Sequence, residues 1–260
     1  LDIGGWDVSK VTTMNNIFNS CSVLKELDIR DWNTELVTDI SGAFTNCRGL
    51  TSLDLSGWKT SNNKTLSTTF HNCSNLKSLN ISNWDVSSVT NMKSLLEGCS
   101  SLESIDISEW DTQNVIEFTA TFMGCSKLTS LDVSGLKTSR ATNMSHMFRG
   151  CSGLTELNVK SFDTSNVTTF YAMFTGCTNL RTLDLSGWST SKVTTIGEIF
   201  SSCTSLVTLD LSGWDTSKVT DTSSAFYSCR NLITLKWTNW KASIGISSVN
   251  LTKESTRDVV

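Results

Sequence analysis

Nine cysteines stand at 21, 47, 73, 99, 125, 151, 177, 203 and 229, and every gap between them is 26 residues. A fixed period of this length means that one supersecondary unit is stacked many times, as in solenoids, propellers and arrays. Tryptophan keeps the same beat at 6, 32, 58, 84, 110, 188, 214 and 240, with Leu136 and Phe162 filling the two missing turns. Leucine occupies 24, 50, 76, 102, 128, 154, 180, 206 and 232. Columns without insertion or deletion require neighbouring turns to be congruent in space, because one unit alone cannot bury its apolar face.

Within one turn the apolar spacing changes character. Leu27 and Ile29 alternate at period two before Trp32, as a short strand would. Val11, Met14, Phe18 and Cys21 are spaced by three and four, which predicts one face of a short helix. The expected fold is therefore an α/β repeat solenoid, leucine-rich-repeat-like, of about ten 26-residue turns. A parallel sheet forms one face and short helical segments the other. Residues 1–234 hold nine regular repeats. Residues 235–260 hold a degenerate final one, a cap or transition, because Ser255 and Thr252 stand at the cysteine and phenylalanine positions. The chain opens on the strand Leu1-Asp2-Ile3 with no cap, so a preceding segment is expected in the parent protein.

Composition narrows the function classes. Net charge is −4, which argues against broad attraction to nucleic acid or anionic membrane. No apolar run reaches the length of a membrane helix. Hydrophobic residues make up only 38% and serine plus threonine 77 positions, so the core depends on the regular columns. Proline is absent from all 260 residues.

The unit around Leu209-Asp210-Leu211-Ser212-Gly213-Trp214-Asp215-Thr216, with Ala225-Phe226 and Cys229 after it, resembles the BspA-like leucine-rich-repeat surface proteins. The resemblance covers residues 1 to about 235. It implies a cell-surface or secreted protein, bacterial in most members, with adhesion among the family's roles. It carries no binding motif across to particular residues, and family repeats often hold phenylalanine where this chain mostly has tryptophan.

Each conspicuous column has a structural reading. The cysteine column, Cys21, Cys47, Cys73, Cys99, Cys125, Cys151, Cys177, Cys203 and Cys229, reads as buried reduced thiols in the core rather than inter-turn disulfides. No Cys-x-x-Cys or histidine column supports a metal, and no cofactor is expected. Trp32, Trp58, Trp84, Trp110, Trp188 and Trp214 read as core bulk, since leucine and phenylalanine replace tryptophan at two turns. An ice-binding role for the threonines at 112, 138, 164, 190 and 216 lacks the Thr-x-Thr pattern. His71 and His146 occupy different repeat positions and have no catalytic partner set, so no enzyme is expected.

The outward strand row is Asp2, Asp28, Asp54, Asn80, Asp106, Asp132, Asn158, Asp184, Asp210 and Lys236. Its aspartates are expected to accept hydrogen bonds from nearby serines and backbone N–H groups. Calcium held by the row is the less favoured alternative. Two turns depart from this serine-rich pattern, at Glu26, Asp28 and Arg30 and at Glu156, Asn158 and Lys160. These six are the candidate ligand-binding residues for a protein or glycan on a host or neighbouring cell. The function read from this pattern is a non-enzymatic, adhesin-like binding solenoid at the cell surface or outside the cell. The alternative is a structural spacer or stalk presenting another domain.

Overall fold

The computed structural model describes residues 3–238 and 241. The chain coils once per 26-residue repeat, and each coil lies in register on the next. Among the described residues four strands form, β1 (Ser52–Asp54), β2 (Ser78–Asn80), β3 (Thr208–Asp210) and β4 (Thr234–Lys236). β1 pairs in parallel with β2, and β3 with β4, each residue opposite the one a period later, as in Leu53 with Leu79. The expected sheet is therefore reduced to two short parallel pairs. A single bridge, Thr182 with Thr208, extends the second pair. The cause is local: each rung is three residues long, and a tight turn follows it at once. Trp58 N–H, for example, bonds back to Leu55 O at 3.0 Å.

The more continuous ladder lies elsewhere in the coil. Thr13, Asp39, Thr65, Asn91, Glu117, Asn143, Thr169, Thr195 and Asp221 are joined by successive parallel bridges, one per coil. After each bridge comes the segment expected to be helical. The described residues contain no helix. In the fourth turn the N–H groups of Met92, Ser94, Leu96 and Gly98 donate to Glu117, Thr119, Thr121 and Met123 of the next coil, at 2.7–2.9 Å. The alternate N–H groups of Leu95, Glu97 and Cys99 fold back three residues, to Met92, Ser94 and Leu96. An α-helix would use every N–H four residues back within the same segment. Here half of them serve as bonds between coils.

This arc needs two left-handed residues per coil, such as Ser94 at φ 55° and Gly98 at φ 75°. Thirteen such positions are not glycine and five are. A left-handed L-residue costs about 1–2 kcal/mol, while each hydrogen bond contributes about 1 kcal/mol net. Gly98 has no Cβ and escapes that cost, so the seven bonds of this arc far outweigh the strain at Ser94. Met92, Leu95, Leu96 and Cys99 all point inward with 0–1% exposure, so the arc buries residues at three-and-four spacing just as a helix would.

Columns fill the core. The phenylalanine rings of residues 122, 148, 174, 200 and 226 stack coil on coil at 5.6–5.9 Å between centroids. The indoles of Trp32 and Trp58 lie 6.4 Å apart and nearly parallel. Trp32, Trp58, Trp84 and Trp188 donate Nε1–H to the carbonyls of Ile3, Ile29, Leu55 and Val159 at 3.0–3.2 Å. Among the described residues the buried Nε1 atoms of Trp110 and Trp214 have no partner. Phe162 and Leu136 keep the same column buried.

Eight cysteines are buried and Cys21 is half-buried; all nine are free thiols. Each buried thiol donates to a carbonyl of the preceding coil, as Cys47 to Phe18 O at 3.0 Å and Cys125 to Leu96 O at 3.2 Å. The threonine column is also inside. Thr112 donates its hydroxyl to Lys137 O at 3.0 Å and accepts Lys137 N–H at 2.8 Å, so it clamps two coils together.

Asn63 breaks a column that is otherwise valine or alanine at 37, 89, 115, 141 and 167. Its Nδ2 donates to Val37 O at 3.1 Å, but its buried Oδ1 has no partner among the described residues. A buried unsatisfied acceptor costs about 1–3 kcal/mol. Asn63→Val is expected to raise stability by about 1 kcal/mol, read as a higher urea midpoint at unchanged slope. A lower midpoint would mean that the Nδ2 bond outweighs the orphaned oxygen.

Candidate functional site

The strand face presents rows of short polar side chains over a buried leucine row. Asp54, Asp106, Asp132, Asp184 and Asp210 are tethered locally by the serine two residues on. Asp132 Oδ1 accepts Ser134 N–H at 2.9 Å and Ser134 Oγ–H at 2.6 Å, and Asp106 and Asp210 repeat the arrangement with Ser108 and Ser212. Asn80 takes the same part with Ser82. A reverse turn follows each rung and points the serine back at the carboxylate, which is why aspartate and serine recur two residues apart.

These bonds favour the charged form. The Ser186 hydroxyl and N–H, with Lys160 beyond them, hold the Asp184 carboxyl down at about 2. Asp54, Asp106, Asp132 and Asp210 are also held below the ordinary 3.8, chiefly by the serine two residues on. Asp7, Asp163, Asp215 and Asp221 are lowered in the same way, and Asp111 by its bond from Lys137. Their folded pKa values lie below the unfolded ones, so their stabilising contribution is present above about pH 4 and is lost as pH falls through the folded values. Thermal melts are expected to stay level down to about pH 4 and then to drop progressively toward pH 2. A fall that begins above pH 5 would point to other groups.

The candidate residues fall into two separate grooves. Glu26, Asp28 and Arg30 line a shallow groove over turns two to four, with Ser52, Asp54 and Asn80 opposite them. Arg30 Nη1 lies 3.9 Å from Asp54 Oδ2 and its Nε 3.6 Å from Asp31 Oδ1. Glu156 and Asn158 line a second groove over turns six to eight, floored by Leu131 and Leu157 and edged by Asp132, Thr182 and Asp184. Lys160 sits at its border with Nζ 3.0 Å from Asp184 Oδ2, and its N–H bonds Asn158 Oδ1 at 3.2 Å. Lys236 faces Asp210 similarly at 3.9 Å. Asp2 lies outside the described residues, as does most of the degenerate repeat 235–260.

A further cluster, on the arc, escaped the sequence reading. Tyr171 donates its hydroxyl to Glu198 Oε1 at 2.9 Å, and Arg149 reaches Glu198 Oε2 at 4.0 Å. His146 packs edge-on against Tyr171 at 5.3 Å, with Nδ1 3.5 Å from Arg149. Burial, and then the Arg149 charge, lower the His146 pKa and keep its ring neutral. His71 separately faces Glu97 at 3.7 Å. Folding the sequence at its own period would have exposed these pairs, since 71 and 97 are one period apart and 171 and 198 one period and a residue. The cluster contains no serine or cysteine nucleophile. Among the described residues no three His, Cys, Asp or Glu side chains converge as metal ligands, and no helix is long and apolar enough to cross a membrane.

A family model described as "Mycoplasma protein of unknown function, DUF285" matches residues 1–79, 64–157 and 153–253, three consecutive copies that overlap at their joins. No curated protein matches the chain. Among solved structures, the TLR13–ssRNA13 complex is similar at 18% identity and a TM-score of 0.38, over 80% of this chain and 32% of that one. An internalin, inlF, from Listeria monocytogenes gives 14% identity and a TM-score of 0.22, over 76% of each chain. The leucine-rich-repeat ectodomain of GASSHO1/SCHENGEN3 from Arabidopsis thaliana gives 17% and 0.27, over 85% of this chain and 36% of that one. The chain thus spans about a third of the length of the first and third of these structures.

Proposed function

We propose that this chain, which belongs to the DUF285 family of repeat proteins, is a non-enzymatic binding solenoid at the cell surface or outside the cell, holding a protein or glycan on its strand face. The observation that carries this reading is the placement of variation. Inward columns mostly keep their residue class from coil to coil, Asn63 being an exception, whereas long charged side chains enter the strand face at Glu26 and Arg30 and again at Glu156 and Lys160, each time at a groove. Stacked coils make an extended surface on which such local differences can select a ligand. The likeness of the repeat to the BspA-like surface proteins supports the location and an adhesive role.

A spacer remains the second reading, favoured by the unbroken bridge ladder from Thr13 to Asp221, which makes the array a continuous rod. The two part on one experiment. Ser52→Trp with Ser130→Trp fills both grooves without touching the core, since both serines are exposed. Arg30→Glu with Lys160→Glu reverses the cations of the two candidate turns. The immobilised chain is then tested for capture of cells and of extracellular matrix. Loss of capture with a nearly unchanged melting temperature supports the binder; unchanged capture in both variants leaves the spacer.

A further inference from the structure

The cations of the strand face are already spoken for. Lys160 lies 3.0 Å from Asp184, Arg30 3.9 Å from Asp54 and Lys236 3.9 Å from Asp210, each facing a carboxylate in the adjacent coil. Turns six to eight therefore offer a ligand charge of the opposite sign. Asp132 engages Ser134 through Oδ1 alone, and among the described residues its Oδ2 has no partner. The Glu156 carboxylate, exposed at the same groove, has no hydrogen bond or ion pair among them either. Between the two rows lies an apolar floor, Leu131 and Leu157, each 6% exposed.

We propose that this groove takes lysine or arginine side chains of an extended polypeptide, the aliphatic stem lying on Leu131 and Leu157 and the cationic head between Asp132 and Glu156. The inference rests on the strand-face reading and narrows it to a ligand class. Long basic side chains bury their methylene stems on apolar surface while the charge stays at a wet rim, and a leucine floor with a carboxylate rim matches that anatomy. Charge complementarity then sets register and association rate. A glycan fits less well. Sugar rings are held by exposed aromatic faces, and the three outward strand columns, which pass through Glu26, Asp28 and Arg30, contain no aromatic residue. Coils lie about 4.8 Å apart, so three of them span about 10 Å, the length of roughly three residues of extended chain.

The test uses the full chain and a fluorescent peptide of alternating lysine and serine, with a glutamate–serine peptide as counterpart, read by anisotropy. The lysine peptide is expected to bind and to weaken with salt, and the glutamate peptide to stay free. Asp132→Asn with Glu156→Gln should weaken binding at least about tenfold. Asp163→Asn with Asp215→Asn, which removes the same charge at another corner of the coil, should leave it unchanged. Equal binding of both peptides, or equal loss in both pairs of variants, overturns the proposal. If Ser130→Trp abolishes peptide binding while the Asp132/Glu156 pair leaves it intact, the cation inference falls and the strand-face reading stands. If neither affects binding, both fall.

Discussion

Raising the pH of the reduced chain is expected to unfold it steeply between about pH 9 and 10.5, with release of roughly eight protons. The cause is the thiol ladder. Burial pushes Cys47, Cys99 and Cys151 up to about 12 and Cys229 up to about 11, and it raises Cys73, Cys125, Cys177 and Cys203 as well. In the unfolded chain the same groups ionise near their ordinary value of 9.0. Folded values lie above unfolded ones, so stability is intact below about pH 9 and is lost as pH rises toward the folded values. Each thiol then removes about 1.4 kcal/mol per pH unit. Eight together remove roughly 11 kcal/mol by pH 10, comparable to the whole stability of a typical domain, about 5–15 kcal/mol. Circular dichroism against pH gives the midpoint, and the slope gives the proton count. Replacing Cys99, Cys125, Cys151 and Cys177 by serine keeps a donor for carbonyls such as Leu96 O and removes half the titrating groups, so the slope should fall by about half. A chain that survives pH 11, or that unfolds with a single-proton slope, would show that the ladder does not set the alkaline limit.

That ladder was legible in the sequence because a column is a statement about register. Nine cysteines at one spacing can share an environment only if the coils stack without slip, and the tryptophan column, filled by Leu136 and Phe162, pointed to the same interior. The aspartate–serine pairing could be read because both partners lie two residues apart in one coil. The arc could not be read in the same way. Met92, Leu95, Leu96 and Cys99 have the spacing of a helix face, and both a helix and a run of three-residue turns return a side chain inward at that interval. The distinction lies in where alternate N–H groups go, to the same coil or to the next, and hydrophobic spacing does not record that. Two signals did bear on it. Glycine recurs at 98, 124, 150 and 176, each left-handed at φ 73–75°, and proline is missing from a chain in which most arc N–H groups are donors. The strand-face ion pairs were hidden for another reason. Lys160 and Asp184 are two residues short of a period apart, so their contact depends on how far each side chain leans across the coils. That lean pairs the Lys160 charge within the protein.

Opposite substitutions at Ala120 should move stability in opposite directions, and the larger change tests the arc directly. Ala120 is 4% exposed, sits at φ 55° and donates its N–H to Ser145 O of the next coil at 2.9 Å. Proline fixes φ near −65° and has no N–H, so Ala120→Pro must rebuild the turn and leave the Ser145 carbonyl without its donor. The expected loss is more than about 3 kcal/mol, enough to separate the coils on either side into two weaker folding units, because a solenoid is held by nearest-neighbour interfaces. Glycine does the reverse. It removes a left-handed penalty of about 1–2 kcal/mol at an entropic cost of about 0.5–1 kcal/mol, so Ala120→Gly should gain up to about 1 kcal/mol. Urea midpoints of the two variants against the parent chain decide the matter. If the proline variant unfolds as late as the parent, residue 120 is not held left-handed and the arc has another backbone. If the glycine variant is the less stable of the two small residues, the buried methyl outweighs the strain, and the thirteen non-glycine left-handed positions owe their side chains to packing.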